Sequence, residues 1–76
     1  MEDRIIEIIK KLTECEELDR NTDLLEEEIL DSLSFIELIE TLNDEFNIEI
    51  QPTQVAPNTW KNVINIANLV NELKSN

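Results

Sequence analysis

The sequence of 76 residues contains no glycine and no histidine. Without glycine, the chain cannot form a glycine-rich phosphate loop or the glycine-based tight turns of β-hairpins. Without histidine, it can form no Ser-His or Cys-His nucleophile pair and no zinc site of the Cys/His type. A chain this short also buries only one small core, with no room for a deep cleft. These absences argue against an enzyme and favour a helical fold.

Cysteine is nearly absent too, since Cys15 is the only one. A single cysteine cannot form an intramolecular disulfide, which favours a reducing compartment. The opening residues include acidic side chains and lack the apolar stretch of a signal peptide. No apolar run approaches membrane-spanning length. We therefore expect a cytoplasmic protein that does not insert into membranes.

Basic residues are scarce, with 6 Lys and Arg against 18 Asp and Glu and a formal net charge of -12. No Lys or Arg occurs from Asn21 to Trp60, although many acidic residues do. Nucleic acid and anionic membranes would repel such a chain, whereas basic protein patches would attract it. The acidic stretch is either a solvated surface or a docking face for cationic partners, and charge alone does not decide between the two.

Apolar periodicity predicts a single domain over residues 1–76 with an all-α architecture, a small bundle of three longer helices and one short third helix. Pro52 suits the first position of the short helix, around Thr53 to Ala56, and Pro57 should end it. Cys15 fits the first helix as a small core residue. The predicted longer helices are Glu2 to Glu16, Ser32 to Asn47, and a last one from Asn58 or Thr59 to Lys74.

The connection from Glu17 to Asp31 is long for so small a domain. Five apolar residues could pin it across the bundle: Leu18, Leu24, Leu25, Ile29 and Leu30. Part of it imitates a calcium loop, with Asp19, Asn21 and Asp23 at positions 1, 3 and 5. The imitation fails where glycine and a bidentate glutamate are needed, because Leu24 and Leu30 stand there. We therefore expect an ordinary polar loop and no metal site.

The second predicted helix has more apolar residues than one buried stripe requires. At about 100° of rotation per residue, the apolar residues that fall within roughly 60° of one direction form a complete core stripe: Phe35, Leu38, Ile39, Leu42 and Phe46. Leu33 and Ile36 lie outside it, next to Glu37 and Glu40. Neighbouring segments could cover the two residues, but their helical spacing beside acidic residues favours an interaction face.

Asp31 and Ser32 precede this stripe, and both residue types cap helices. A cap is a sufficient explanation for a serine at this place. A helix N-terminus also favours a bound or attached phosphate, because its free amides and the helix dipole face the anion. The residues alone leave Ser32 as either a cap or an anchor for a phosphate.

The segment DSLSFIELIETLNDEFNIEI, from Asp31 to Ile50, resembles the acyl carrier proteins and the related peptidyl and D-alanyl carrier proteins. The family pattern is Asp-Ser-Leu, an apolar/Glu-Leu run, an acid-rich stretch with Phe, and an apolar-x-apolar segment. After the first three residues, the pattern is filled by Ile36-Glu37-Leu38, Asp44-Glu45-Phe46 and Ile48-Glu49-Ile50. The resemblance covers essentially the whole chain, including the long loop and the short third helix.

In that family the serine carries 4′-phosphopantetheine, which a phosphopantetheinyl transferase takes from coenzyme A. By position this role falls on Ser32, with Asp31 as part of the motif, and not on Ser34. The thiol of the arm holds an acyl or aminoacyl group as a thioester, so the protein would be a non-catalytic carrier. The resemblance further implies that the acidic second helix docks on basic patches of partner enzymes through Leu33, Ile36, Glu37 and Glu40.

The segment PTQVAPNTWKNVINI resembles the D-alanyl carrier proteins in particular, through Thr53, Trp60, Asn62, Asn65 and Ile66. In those carriers an ATP-using ligase loads D-alanine, which then passes towards teichoic acids in Gram-positive bacteria. The implied partners are a phosphopantetheinyl transferase, an acyl- or D-alanine-activating ligase and a downstream acyltransferase or synthase. Carriers commonly have a glycine two or three residues before the Asp, where this chain has Glu28 and Ile29.

Besides a calcium-binding helical protein, which would need the loop from Asp19 to Leu30 to bind the ion, two other functions stay open at this point. The chain could be an acyl carrier of fatty-acid, polyketide or peptide synthesis; a long acyl chain would need the bundle core to open as an apolar pocket, whereas D-alanine would not. It could also be an acidic helical interaction module without a prosthetic group, in which Ser32 is only a cap. In each case we expect a monomer that binds no nucleic acid.

Overall fold

The computed structural model describes residues 1–75, which form three α-helices, two short 3-10 helices and no strand. The α-helices are α1 (Glu2–Thr13), α2 (Ser32–Phe46) and α3 (Val63–Lys74). The predicted all-α bundle is confirmed. The predicted helix count is slightly wrong, because two separate 3-10 turns, Pro52–Gln54 and Pro57–Lys61, stand in place of one short third helix.

The ends of α1 and α2 are set by residues in the left-handed conformation. Glu14 has a φ of 57° and donates its N–H to the Lys10 carbonyl, so α1 ends before the predicted Glu16. Asn47 has a φ of 54° and closes α2 in the same way on Asn43, one residue before its predicted end. A residue in this conformation cannot continue a right-handed helix, so both helices end there.

Pro57 begins a 3-10 helix and does not only end the preceding turn. Its fixed φ suits a first helical position, where no N–H is needed. The last α-helix starts at Val63, later than predicted, because Asn62 is extended and its side chain accepts the Asn65 N–H at 2.9 Å. Trp60 therefore lies in the 3-10 helix, where it is 5% exposed.

The core lies between the three helices and is closed by the connections. It consists of one cluster of buried residues: Ile5, Ile8, Ile9, Leu18, Leu24, Leu38, Ile39, Leu42, Ile50, Trp60, Val63, Ile66, Ala67 and Val70. Burying one such large apolar side chain contributes roughly 1.5–3 kcal/mol. Cys15 is half-buried and packs against this cluster, and its Sγ lies 3.7 Å from the Glu17 carbonyl oxygen. No helix within residues 1–75 is long and apolar enough to cross a bilayer.

The long connection between α1 and α2 is held by its leucines and by the second 3-10 helix. Leu18 and Leu24 are buried, and the Leu24 N–H donates to the Lys61 carbonyl at 2.6 Å. Ile29 and Leu30 are half-buried against the core. Leu25 is 46% exposed, so the prediction that it pins the loop across the bundle is wrong. These contacts bring the end of the loop to the start of α2.

Candidate functional site

At the start of α2, Asp31 caps the helix and Ser32 is exposed. Asp31 is the N-cap, and its Oδ1 accepts the Ser34 N–H at 2.8 Å. This bond from Ser34 is the main reason why the pKa of Asp31 lies below its ordinary value. Ser32 is the first helical residue and is exposed. Of the two caps that the sequence allowed, the structure uses Asp31, which leaves the Ser32 hydroxyl facing solvent at a helix N-terminus.

The loop before Ser32 ends in one helical turn closed by Glu28. Asp23 starts this turn, because its Oδ1 accepts the Leu25 and Glu26 N–H groups at 3.1 and 2.8 Å. At the other end, the Ile29 N–H donates to the Leu24 carbonyl and the Glu28 N–H to the Leu25 carbonyl. This pairing is a Schellman motif, whose closing residue is usually glycine. Glu28 closes it here with a φ of 54°.

An open groove of about 350 Å³ lies beside Ser32. It runs between the loop, α2 and the second 3-10 helix, and its lining residues are Leu25, Leu30, Asp31, Ser32, Phe35, Pro57 and Trp60. Phe35 and Trp60 meet edge to face, with ring centroids 4.9 Å apart and an interplanar angle of 89°. The groove is therefore mainly apolar and begins at the candidate attachment residue.

The exposed apolar residues near the start of α2 are Leu33 and Ile36, which are 66% and 53% exposed. Glu40 is exposed, one helical turn beyond Ile36. Glu37 is half-buried and lines a groove toward α1 with Arg4 and Lys10, so it belongs only in part to the exposed surface.

Leu25 is a surface residue that sequence reasoning missed. It lines the groove beside Ser32 and is exposed, although it lies in a loop six residues before Asp31 in the sequence. The signal that could have found it is the pair Leu24-Leu25: in a single helical turn capped by Asp23, two adjacent leucines cannot both face the core.

The carboxylates of the calcium-like stretch accept hydrogen bonds that close local turns. Asp19 Oδ1 accepts the Asn21 N–H at 2.8 Å and the Thr22 hydroxyl at 3.2 Å. Asp23 is occupied with the turn that follows it. Within residues 1–75 no three side chains of the metal-binding types converge. This segment thus serves the geometry of the loop.

A family model and two named relatives both identify proteins of the carrier type. The chain matches the protein family described as "Phosphopantetheine attachment site" over residues 3–71. It is 36% identical over 76 residues to a D-alanyl carrier protein of Lactococcus lactis subsp. lactis, covering 97% of this chain and 96% of that protein. A D-alanyl carrier protein of Lactococcus lactis subsp. cremoris is 35% identical over 74 residues, with 95% and 94% covered.

A solved structure is similar in both fold and sequence. It is a chain from a crystal structure described as that of an FAD-dependent dehydrogenase, with a TM-score of 0.79 and 37% identity. The match covers 90% of this chain and 100% of that one, so the two chains are of nearly equal length.

Proposed function

Since this chain belongs to the phosphopantetheine attachment site family, we propose that Ser32 is the residue that carries the 4′-phosphopantetheine arm and that the cargo is D-alanine. The family makes the chain a carrier protein with a covalent prosthetic group. When attached, the arm supplies a thiol that holds the cargo as a thioester. The attachment residue and the identity of the cargo can each be tested by experiment.

The observation that carries the assignment is the exposed hydroxyl of Ser32. Asp31 caps α2, so the Ser32 side chain is not needed for the helix. Beyond the N-cap Asp31, whose carboxylate is bound to the Ser34 N–H, the first turn of α2 contains no acidic side chain. A phosphodiester at Ser32 would meet the positive end of the helix dipole. These residues fit the prosthetic group, and the groove beside Ser32 gives room for the arm.

The protein acts without catalysis of its own in this proposal, which the lack of histidine supports. Carriers of this kind work with enzymes that load and unload them, here a phosphopantetheinyl transferase, a D-alanine-activating ligase and a downstream acyltransferase. Leu33, Ile36 and Glu40 form the exposed surface beside Ser32 that these enzymes would contact. Glu37 contributes from the edge of that surface. The absence of Lys and Arg from Asn21 to Trp60 suits partners with basic patches.

The attachment residue is tested by mass spectrometry of the purified chain after incubation with coenzyme A and a phosphopantetheinyl transferase. We expect the mass of one phosphopantetheine to be gained by the wild type and by Ser34→Ala, and none by Ser32→Ala. Ser34 is the matched control because it lies two residues further along the same helix. A gain retained by Ser32→Ala would contradict the assignment.

The cargo is tested on the phosphopantetheinylated protein with a D-alanine-activating ligase and ATP. We expect a thioester with D-alanine and much less with L-alanine or a fatty acid under the same conditions. The similarity to D-alanyl carrier proteins over nearly the whole chain supports this choice. Preferential loading of a fatty acid by cognate enzymes would instead favour an acyl carrier of fatty-acid or polyketide synthesis.

A second candidate cargo pathway rests on the solved relative. A chain of nearly the same length occurs in a structure described as an FAD-dependent dehydrogenase. In this alternative, the protein presents an acyl or aminoacyl thioester to a flavin enzyme, which takes two electrons and two protons from the cargo. Stopped-flow absorbance of such an enzyme distinguishes the two: bleaching of the oxidised flavin by the loaded carrier favours the alternative, and unchanged absorbance favours D-alanine transfer.

A further inference from the structure

The floor of the groove beside Ser32 is made by two aromatic side chains. Trp60 is 5% exposed and Phe35 is half-buried, and their rings meet at 4.9 Å. Both residues line the groove, and Trp60 also belongs to the core cluster. The indole therefore separates the groove, where the arm would begin, from the interior of the bundle.

Trp60 is held in place by hydrogen bonds on both sides of its 3-10 helix. The Lys61 carbonyl accepts the Leu24 N–H at 2.6 Å, which ties the helix to the loop before Ser32. The Asn58 carbonyl accepts the side-chain amide of Asn65 at 2.9 Å, which ties it to α3. Because the loop and α3 both hold the short helix, the backbone that carries Trp60 is fixed relative to both.

The interior next to Trp60 is filled by residues that are fully buried. Leu24, Leu38 and Val63 are each 0% exposed and belong to the same core cluster as Trp60. Protein interiors are packed about as densely as organic crystals, so an added chain of several methylenes needs space that a side chain has to leave. Trp60 is the largest side chain of this core and stands between it and Ser32.

We propose that Trp60, supported by Phe35, is a specificity-determining residue that closes the core and confines the carrier to small cargo that stays in the groove or in solvent. This inference rests on Ser32 as the attachment site. A long acyl chain would extend beyond the open groove into water, where exposed apolar surface is unfavourable. A small polar cargo such as an aminoacyl group carries no such cost.

The first test uses the wild-type protein alone. A phosphopantetheinyl transferase loads it from acetyl-coenzyme A or from octanoyl-coenzyme A, and the melting temperature and the rate of thioester cleavage by hydroxylamine are measured for each form. We expect equal melting temperatures, and cleavage rates in the same ratio as those of free acetyl- and octanoyl-coenzyme A, because neither cargo enters the core. A higher melting temperature for the octanoyl form, with cleavage slower than that ratio predicts, would overturn the proposal.

The second test opens the core at Trp60. In Trp60→Leu we expect the octanoyl form to melt several degrees above the acetyl form and to be cleaved several-fold more slowly, because the lost indole leaves an apolar cavity beside the arm. If that variant does not fold, Trp60→Phe can replace it, because it removes less volume; the differences in melting temperature and cleavage rate should then have the same sign and be smaller. Equal behaviour of both cargoes in a folded Trp60 variant would show that another residue closes the core.

The control is Ile9→Ala, which makes a core cavity at a residue of α1 that does not line the groove. It should lower the melting temperature of both loaded forms equally, since its cavity is not beside Ser32. A rise with octanoyl in this control as well would overturn the role of Trp60. Failure of the wild type to accept any arm would contradict the attachment at Ser32 instead, so the two proposals fail in different ways.

Discussion

At the scale of single residues, the structure decides which of Asp31 and Ser32 caps α2, a choice that the sequence left open. Asp31 supplies the cap, and Ser32 supplies an exposed hydroxyl. Both residue types cap helices well, so no rule of propensity could choose between them. The choice is made by the extended backbone of Asp31, with a ψ of -179°, and this in turn depends on how the loop arrives from the core.

This division predicts different consequences for the two residues in the unmodified protein. We expect Asp31→Ala to lower the melting temperature by a few degrees, because the Ser34 N–H loses its acceptor. Ser32→Ala should leave the melting temperature nearly unchanged. Thermal melts followed by circular dichroism compare them, with Asp31→Asn as the control, since asparagine caps about as well as aspartate. A larger loss in Ser32→Ala than in Asp31→Ala would contradict the assigned cap.

Because the pKa of Asp31 is lowered in the folded state, the stability of the protein depends on pH. Its cause is the hydrogen bond from the Ser34 N–H, which favours the charged carboxylate in the folded state. The contribution of the carboxylate to stability is therefore fully present above the ordinary pKa of aspartate and is lost as the pH falls through the lowered folded pKa. We expect the wild type to lose stability faster than Asp31→Asn on acidification over that range, as measured by urea unfolding at each pH.

Glu28 is one of the two residues, with Ile29, at which this chain departs from the carrier pattern, and its backbone conformation accounts for the departure. It occupies the left-handed closing position of the turn before Ser32, where carriers commonly have glycine two or three residues before the Asp. The left-handed conformation costs a residue with a Cβ roughly 1–2 kcal/mol. The fold therefore keeps the turn that glycine would make and accepts this cost.

Replacing Glu28 by glycine should stabilise the protein. We expect Glu28→Gly to raise the free energy of unfolding by about 0.5–1 kcal/mol, because the relief of the left-handed strain exceeds the entropy that glycine loses on folding. Glu27→Gly is the matched control, since Glu27 is also exposed and is not among the residues with positive φ. It removes the same charge and should destabilise. Urea unfolding of both variants at one pH and salt concentration makes the comparison.

At the scale of elements, the long helices could be predicted because their apolar stripes repeat at helical spacing. The connections could not, since their geometry depends on tertiary contacts. Pro57 was expected to end a turn, yet it also begins the 3-10 helix that carries Trp60. Leu25 was expected inside, but the turn that buries Leu24 leaves it exposed. Glu37 lies partly against α1, and a helical wheel of α2 alone cannot predict a contact between two helices.

A paired Arg4 and Glu45 joins α1 to the end of α2. The guanidinium donates two hydrogen bonds to the carboxylate, at 2.8 and 3.1 Å, which hold the pKa of Glu45 below its ordinary value. The pair therefore stabilises the fold above the ordinary pKa of glutamate, and this effect is lost as the pH falls through the lowered folded pKa. It is partly exposed, so the effect is small and weakens with salt.

We expect Glu45→Gln to melt slightly below the wild type at neutral pH, and the two proteins to melt at the same temperature once the Glu45 carboxylate of the wild type is protonated. Melting curves across the acidic range measure this difference. Asp44→Asn is the control, because Asp44 is exposed and the ion pairs of residues 1–75 do not include it. Equal effects of the two substitutions would mean that the loss comes from charge alone and not from the pair.

At the scale of the whole molecule, the net charge of -12 is large for 76 residues. Three ion pairs join basic to acidic side chains within residues 1–75, so most carboxylates have no cation beside them. Like charges repel more strongly when they are brought together in the compact state, which opposes folding. In the proposed function the same surface would attract enzymes with basic patches, so a lower stability would be offset by faster association.

This balance predicts that salt stabilises the protein. We expect the melting temperature to rise between about 10 mM and about 150 mM NaCl, where the screening length falls from roughly 30 Å to roughly 8 Å. Differential scanning calorimetry at constant pH measures the rise. A melting temperature that stays flat or falls over this range would contradict net self-repulsion.

Trp60 is also an intrinsic fluorescent probe of the groove beside Ser32. The chain has one tryptophan and no tyrosine, so its near-ultraviolet emission comes from a single indole. That indole forms the floor of the groove beside Ser32. Attachment of an arm, arrival of a cargo or docking of an enzyme over the groove would each change its polarity and its quenching. The handling of cargo can therefore be followed in real time by intrinsic fluorescence, without a label on the carrier.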